Sequence, residues 1–474
     1  MKKGFGKYFG SFSLFISEKF LSFKHKWTDF WSTKELVRKL IFTLFLITIF
    51  IVAGTITAPF VKIVNASQLN QSAFFGILNI VGGGGLRQFS IVSLGINPFI
   101  TASLIMTILQ SKLFPPIQKM SQSGPLGRKK INVITRLLTL VFAFPQAIVL
   151  TQTLSRENGF ISIDQEFKTI ANIYVLLPLI LVAGSLFTLF LSEQITDKGI
   201  GNGTSLIIFS GISLSLPSQF RAAFNVLVGT NKTTLFTGLI HFLLYLFGYL
   251  LLIVIIVFVY LAERRIPIQQ TGAGLSKNIK EMGSLPIKVN PAGIMPVIFS
   301  MIVISFPLLI AGLLDRSTSL VRLWIERHLA FTHPIGFSLL IIITFIFSIF
   351  MGLQQSKIDK ISEDFNKSGT FIPGLRPGDQ TENYLIDVVL RLSTFSAFYL
   401  SILVSIQYIM QMAGMPAAIS FGGTSMMILV SVSLETIDQI KARLKANKLS
   451  NMKKVTQKAI SKKQDKLDNS GVLW

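Results

Sequence analysis

The stretch GILNIVGGGGLRQFSIVSLGINPFITASLIMTILQ, residues 76–110, is apolar but cannot form one uninterrupted membrane helix. Its four consecutive glycines, Gly82, Gly83, Gly84 and Gly85, each weaken a helix interior by about 1 kcal/mol. A regular apolar helix is predicted only over residues 95–113. A broken helix at membrane depth is tolerated only where protein or a water-filled cavity surrounds it. The stretch therefore predicts a polytopic membrane protein whose second span is broken and whose centre is not lipid.

Composition supports a protein built in the bilayer. Half of the 474 residues are hydrophobic, 14% are charged, and the mean hydropathy is +0.60. The absence of cysteine excludes disulfides, thiol catalysis and thiolate metal sites, and four scattered histidines indicate no metal cluster or cofactor. The net charge of +23 could suggest nucleic-acid binding, but the basic residues flank apolar runs, which is typical of loops facing anionic lipid. No removable signal peptide is predicted.

Apolar runs predict an all-α fold with ten transmembrane helices. They lie at residues 40–59, 95–113, 131–154, 170–191, 201–216, 235–261, 291–313, 335–353, 384–410 and 421–440. Residues 1–39 precede them as a basic, aromatic extension, which could be a surface amphipathic helix or a partly disordered arm. Residues 441–474 follow as a basic tail.

The distribution of basic residues predicts the orientation of the spans. Of the 45 lysines and arginines, 34 fall in the termini and the loops on their side, whereas 9 fall in the opposite loops. Basic loops stay in the cytoplasm, so both termini are expected there.

Ten spans divide into two halves, residues 40–216 and 235–440, joined by an external linker at 217–234. Halves with five spans each have opposite orientations in the membrane, as in inverted repeats. Proteins of this kind place the working site between the halves, so a central site is expected.

One face of the second span carries Ile96, Ile100, Ser103, Thr107 and Gln110 at helical spacing. Its outer end is apolar and branched, and its cytoplasmic end is polar. Lipid disfavours such a polar row, so the stripe should face protein or water. From the stripe alone, ordinary helix packing through small and polar residues is the better explanation and needs no functional role.

No carboxylate lies near the middle of a span. Ion-coupled transporters generally need such a group or an equivalent relay. The pattern therefore counts against the alternative interpretation, an inverted-repeat secondary transporter for a small solute.

Two cytoplasmic loops, at about 262–288 and 354–381, carry arginines in unusual settings. Arg264 and Arg265 come directly after a span, and Arg376 lies within the proline- and glycine-rich sequence FIPGLRPG. A rigid loop that presents an arginine suits docking of a protein or acidic partner. The charge bias of cytoplasmic loops alone would explain the basic residues but not the proline–glycine frame.

Seven stretches, in this order and each beside the expected span, resemble the SecY family, the central subunit of the bacterial protein-conducting channel. They are SLGINPFITASLI, SGPLGRKKI, LSEQITDKGIGNGTSLIIFSGI, ERRIPI, LPIKVNPAGIMPVIFS, SGTFIPGLRPGDQT and FGGTSMMI. The resemblance extends over residues 40–448.

The resemblance implies two five-helix halves around an hourglass pore. It implies a plug at about 76–94 that includes Gly82, Gly83, Gly84, Gly85, Leu86 and Arg87. It implies a pore ring at Ile96, Ile100, Thr204, Ile208, Ile298 and Ile428, in which Thr204 departs from the usual apolar residue. It also implies a lateral gate between spans two and three and spans seven and eight, lined by Ser103, Thr107 and Gln110.

The function implied by the resemblance is to move unfolded secretory chains across the bacterial cytoplasmic membrane and to release apolar segments into lipid, without covalent chemistry. The implied partners are SecE-like and SecG-like small subunits, signal sequences, membrane lipids, the motor ATPase SecA and the ribosome. The last two would dock at Arg264, Arg265 and Arg376.

Overall fold

The computed structural model describes residues 31, 33–64, 82–111, 114–157, 161–163, 172–229, 235–270, 283–311, 314, 319–416, 419–420 and 422–468. Most of the predicted N-terminal extension, and the part of the predicted plug before Gly82, lie outside these residues.

The described part of the chain is mainly α-helical, because long apolar runs satisfy their backbone groups within each helix. Its helices in chain order are α1 (Lys34–Thr55), α2 (Asn97–Leu109), α3 (Pro115–Gln122), α4 (Gly124–Gln152), α5 (Leu177–Lys198), α6 (Gly203–Val228), α7 (Leu235–Leu261), α8 (Met295–Ala311), α9 (Leu320–His328), α10 (Pro334–Ser356), α11 (Ile358–Ser368), α12 (Asp379–Met412) and α13 (Gly423–Asp468).

Six of these helices, α1, α4, α5, α7, α10 and α12, are long and apolar enough to cross a membrane. The apolar helices α2 and α8 are shorter. Helix α6 and the first part of α13 coincide with predicted spans five and ten. Each predicted span therefore corresponds to a helix, and the second span is regular only from Asn97.

Two small antiparallel sheets lie outside the helices in the described residues. Strand β1 (Val61–Ile63) pairs with β2 (Ile161–Ile163). At the other sheet, β3 (Glu263–Gln270) pairs with β4 (Gly283–Lys288) on one side and with β5 (Thr370–Phe371) on the other. The two predicted docking loops are thus joined through one sheet.

Several boundaries differ from those expected. Helix α6 continues through Pro217 to Val228, so the first part of the predicted linker 217–234 is helical. A proline removes one hydrogen bond and bends a helix without always ending it. Helix α1 begins at Lys34 rather than after residue 39, and α11 occupies much of the loop expected at 354–381.

The main apolar core is shared by the two halves. Residues of α1, α2, α5 and α6 form one buried cluster with residues of α7, α8, α10, α12 and α13. Small residues let helix backbones approach closely within it: a side chain at Gly352 would overlap Ser393, and one at Gly203 would overlap the Ser192 carbonyl. The interface between the halves is therefore the centre of the molecule.

Candidate functional site

The irregular segment 82–96 lies in the interior and is tied to its neighbours through its backbone. The Ala58 N–H donates to the Phe89 carbonyl over 2.8 Å, and the Ile91 N–H donates to the Ile56 carbonyl over 3.1 Å. The Ser185 hydroxyl of α5 donates to the Gly95 carbonyl over 2.7 Å. These bonds satisfy backbone groups that lack helical partners, which buried irregular chain requires.

Within this segment, the Gly85 carbonyl accepts hydrogen bonds from several donors. It accepts from the Ser90 hydroxyl at 3.0 Å and from the Ser93 hydroxyl at 3.1 Å. It also accepts from the Ser90 N–H at 3.2 Å. Both serines are buried. The segment 82–96 is therefore a compact folded unit that supplies its own polar partners.

The glycine run lies against α6. Gly83 and Gly84 have φ values of 85° and 89°, which are open to glycine. A Cβ atom at Gly211 would lie 2.3 Å from the Gly83 carbonyl carbon, so the two backbones are in direct contact. The sequence reasoning missed this close contact; its only hint was the small residue on span five.

Leu86 is buried among apolar residues of α4 and α5, and Arg87 lies in the short 3-10 helix Gly85–Gln88. That short helix is the only helical part of the expected plug 76–94 within its described residues, 82–94.

Five isoleucines expected in the pore ring are buried in the shared apolar core. Ile96, Ile100 and Ile208 come from the first half, and Ile298 and Ile428 come from the second. None is more than 6% exposed. The structure thus brings these residues into one apolar cluster at the seam of the two halves.

Thr204 differs from these isoleucines, as expected from its chemistry. It is half-buried, and its hydroxyl donates to the Asn202 side-chain oxygen over 2.6 Å. The same oxygen accepts from the Thr204 N–H, so Asn202 caps the start of α6. The hydroxyl at this position has a partner at its own helix terminus.

The polar stripe on α2 lies where the two halves meet. Helix α2 packs against α4 of its own half and α8 of the other half. Ser103, Thr107 and Gln110 are all half-buried. The Thr107 hydroxyl donates to the Ser103 carbonyl, and the Gln110 side-chain oxygen accepts from Ser121 over 3.4 Å.

Gln354, at the end of α10, connects directly to this stripe. Its Nε2 donates to the Thr107 carbonyl over 2.8 Å. That carbonyl belongs to the last turn of α2, where helical partners are lacking. The Gln354 Oε1 is buried and accepts no hydrogen bond from the described residues. Gln354 was not predicted from the sequence, because there it is simply the first polar residue after an apolar span.

A second polar contact joins the halves near Gly199 and Gly201. The Gly201 N–H donates to the Gln439 side chain over 3.0 Å, and the Arg443 guanidinium donates to the Gly199 carbonyl over 2.9 Å. Gln439 and Arg443 both lie on α13. This contact gives the glycine-rich turn before α6 a role in joining the two halves.

The predicted docking arginines lie on the sheet of β3, β4 and β5 and on the turn that follows it. Arg264 and Arg265 are exposed on β3, next to the buried Ile266. Arg376 is also exposed, while its N–H and carbonyl bond to the side chains of Gln380 and Thr381. The turn therefore holds the Arg376 backbone and presents its side chain outward.

Helix α11 lies beside this turn and has an ordinary polar outer face. The Lys367 ammonium donates to the Glu363 carboxylate over 2.6 Å. This hydrogen bond lowers the pKa of Glu363 and raises the pKa of Lys367, because it favours the charged form of each. No group of three or more histidine or acidic residues in the described ranges could hold a metal ion.

Comparison with known proteins gives a consistent result. The SecY family model matches residues 90–437. A protein translocase subunit SecY from Mycoplasma capricolum subsp. capricolum is 36% identical over 448 residues, which cover 92% of this chain and 91% of that protein.

Two solved structures are also similar. One, described as the structure of a protein conducting channel, has a TM-score of 0.60 at 18% identity and covers 86% of this chain and 92% of its own. Another, Sec61 in the canine ribosome–channel complex from the endoplasmic reticulum, has a TM-score of 0.55 at 18% identity with the same coverage.

These likenesses confirm the expected ten-helix, all-α channel fold and give no support to the secondary-transporter alternative. Because the family model matches residues 90–437 and the mycoplasma relative is matched over 92% of this chain, the chain belongs to the SecY family.

Proposed function

We propose that this chain lines the pore through which unfolded secretory polypeptides leave the cytoplasm and from which apolar segments pass sideways into lipid. As a member of the SecY family it forms a protein-conducting channel in the bacterial membrane. The observation that carries the finer proposal is the burial of five isoleucines, drawn from both halves, in one apolar cluster that includes the end of segment 82–96. The mechanism needs no covalent step and no cofactor.

The isoleucines Ile96, Ile100, Ile208, Ile298 and Ile428 would form the seal. Branched apolar side chains can part around an extended polypeptide, yet they offer no hydrogen bonds to ions or water. Thr204 is the sixth position that the family resemblance assigns to the ring. Because its hydroxyl bonds to Asn202, it would add little polarity to the constriction.

Residues 76–94 would act as a plug that backs up this seal. The hydrogen bonds around Gly85 make part of the segment a unit of its own, so it could move without unfolding. Its contact with Gly211 is between glycine backbones, which have no side chains to interlock. A translocating chain would displace it by breaking the hydrogen bonds that tie its backbone to Ile56 and Ala58 and the adjoining Gly95 to Ser185.

The lateral gate would lie between α2 and α4 on one side and α8 and α10 on the other. Gln354 holds α10 to the last turn of α2 in the closed seam. Opening would break this hydrogen bond and expose Ser103, Thr107 and Gln110 to a signal sequence. The polar stripe would then border water on one side and lipid on the other.

The sheet of β3, β4 and β5 would dock cytoplasmic partners through Arg264, Arg265 and Arg376. The partners of the proposal are the SecA motor ATPase, the ribosome and the SecE-like and SecG-like small subunits. The similar Sec61 chain is described in a ribosome–channel complex, which supports the ribosome as a partner. Both termini would then lie in the cytoplasm.

A crosslinking map of a stalled secretory chain tests the proposal. Since the protein has no cysteine, single cysteines can be placed by Ile100→Cys, Ile298→Cys and Thr107→Cys. Ile342→Cys, on an exposed apolar position of α10, is the matched control. The stalled chain carries one cysteine at successive positions.

We expect disulfides from the stalled chain to positions 100 and 298, and from its signal sequence to position 107. Position 342 should give none. Equal crosslinking at position 342, or none at positions 100 and 298 with a chain held in the membrane, would contradict the pore.

A further inference from the structure

Helix α9, Leu320–His328, lies outside the ten spans and has no part in the channel proposed above. It connects the end of α8 to the start of α10 and packs against both. The Ser319 side chain accepts a hydrogen bond from the Arg322 N–H and caps its first turn. After the helix, the buried Phe331 packs against Tyr408 of α12, with ring centroids 5.5 Å apart. The helix is thus held at both ends.

The polarity of α9 is reversed with respect to a water-facing helix. Its apolar residues Leu320 and Trp324 are 82% and 55% exposed, and Val321 and Leu323 are exposed beside them. In contrast, Arg322 is only 2% exposed.

Arg322 has hydrogen-bond partners inside the protein. Its Nε donates to the Glu326 carboxylate over 2.8 Å, and its guanidinium also donates to the carbonyl of Leu314, three residues after α8. Helix α9 therefore buries its arginine against the partly buried Glu326 and turns its apolar side outward.

Helix α11 provides an internal comparison of similar length. It buries Ile358 and exposes Asp359, Lys360, Glu363 and Asp364. This is the arrangement that water favours. Helix α9 has the opposite arrangement. Four apolar side chains exposed to water would lack the stabilisation that burial provides, so α9 requires an apolar environment on its outer side.

The surroundings of α9 indicate what this environment is. The two helices that α9 packs against also carry exposed apolar side chains, Ile310 on α8 and Ile335 and Ile342 on α10. Helix α10 is long and apolar enough to span the membrane, so its exposed apolar side faces lipid. A tryptophan with an apolar body and a polar N–H is typical of the level where acyl chains meet headgroups.

We propose that α9 is an interfacial helix that inserts Leu320, Val321, Leu323 and Trp324 into the lipid at the boundary between headgroups and acyl chains. The partner is the bilayer itself. The exposed Arg327, on the same side, would extend its charge toward lipid phosphates along its apolar stem. This lipid contact depends on the spanning helices and not on what the pore conducts.

Fluorescence of Trp324 tests this contact in the full chain reconstituted in phosphatidylcholine vesicles. The substitutions Trp27→Phe, Trp31→Phe and Trp474→Phe leave it as the sole tryptophan. The probes are lipids brominated near the headgroup end or near the methyl end of the acyl chain, and acrylamide in water. The control adds Trp324→Phe and Lys360→Trp, which moves the reporter to the polar face of α11.

We expect strong loss of Trp324 fluorescence with bromine near the headgroup end, weaker loss with bromine near the methyl end, and little loss with acrylamide. The control reporter should respond to acrylamide alone. If Trp324 responded as the control does, α9 would lie in water. If neither bromine nor acrylamide quenched Trp324, another protein chain would cover α9, and the lipid contact would be wrong.

A second measurement avoids the tryptophan substitutions. A spin label on Val321→Cys should collide more often with oxygen, which concentrates in lipid, than with a water-soluble nickel complex. The same label on Lys360→Cys should show the reverse order. Equal accessibility at the two positions would overturn the proposal.

Discussion

At the scale of single residues, the contact between Gly211 and Gly83 leaves no room for a side chain. A Cβ atom at Gly211 would lie 2.3 Å from the Gly83 carbonyl carbon, and neither atom could rotate away, because the Cβ is bonded directly to the backbone and the carbonyl carbon is part of it. We expect Gly211→Ala to lower the free energy of unfolding by about 1–3 kcal/mol through overpacking. Thermal unfolding of the purified protein would measure the loss.

Gly54→Ala is the matched control for this substitution. Gly54 lies in α1, and a Cβ atom there would meet only Val92, at 3.9 Å. Alanine should therefore be neutral or stabilising, by up to about 1 kcal/mol from helix propensity. Equal behaviour of the two variants would contradict the close packing of the glycine run against α6.

Ile298 offers a test of the seal. Ile298→Lys places a charge among buried isoleucines, where it can be stabilised only by drawing in water. We expect the resting channel to leak ions, measured as conductance in planar bilayers. Ile298→Val keeps a branched apolar side chain and should remain tight, with a stability cost of about 0.5–1.5 kcal/mol. An unchanged conductance in Ile298→Lys would remove this residue from the seal.

The sequence predicted which residues are apolar and central far better than which polar residues pair. Ile96 and Ile100 are buried together, because branched apolar residues at helical spacing favour one face, whereas the burial of Ile298 with them was expected from the family resemblance. The partner of Thr107 was not predictable, since Gln354 is 247 residues away and its neighbour Gln355 has the same side chain. Only the rotation of α10 decides which of the two glutamines faces α2.

At the scale of helices and loops, Gln354 and Gln355 can show whether one specific hydrogen bond holds the gate or whether any polar side chain at this end of α10 has the same effect. Gln354→Ala removes a hydrogen bond worth about 0.5–1.5 kcal/mol, so the open gate should become roughly two- to tenfold more populated. Pulsed electron paramagnetic resonance between labels on Ser111→Cys and Ser356→Cys would report the distance across the seam. Gln355, which is exposed, should tolerate alanine without any change. Identical distance distributions in both variants would show that Gln354 does not hold the gate.

The turn at Arg376 allows a specific docking role of this arginine to be distinguished from the effect of the loop's net charge. Its backbone is fixed by Gln380 and Thr381, so Arg376→Glu reverses one charge without changing the turn. We expect SecA-driven translocation into vesicles to be lost while the protein remains inserted. Lys360→Glu, an equal charge reversal on exposed α11, should translocate normally. Equal loss in both variants would attribute the effect to net charge alone.

Ends of elements were the least predictable part of the fold. Helix α6 continues past Pro217 to Val228, and α13 extends to Asp468, well beyond its apolar part. Hydropathy marks where a chain enters water, whereas backbone hydrogen bonding can continue beyond that point. The break before Asn97 was predicted because glycine acts on the backbone itself.

At the scale of the whole molecule, five spans in each half predicted a site between the halves, and the shared apolar core lies there. The contacts that close the halves were not predictable in the same way. The hydrogen bonds of Gly199 and Gly201 with Arg443 and Gln439 span more than 200 residues and use side chains at the end of the last predicted span and in the basic tail, where polar residues are ordinary. Hydrophobic patterning determines which helices span the membrane, and long-range polar pairs then fix how these helices are aligned with one another.

The orientation of the whole chain is a prediction of charge alone. With 34 basic residues on one side and 9 on the other, the inverted orientation would export most of the positive loops. Each charge moved across the membrane potential costs about 2.3 kcal/mol per 100 mV. We therefore expect a membrane-impermeant maleimide to label Arg221→Cys in intact cells, and to label Lys360→Cys and Lys448→Cys only after permeabilisation. Labelling of positions 360 and 448 from opposite sides would contradict the count of ten spans, and labelling of both from outside would reverse the orientation.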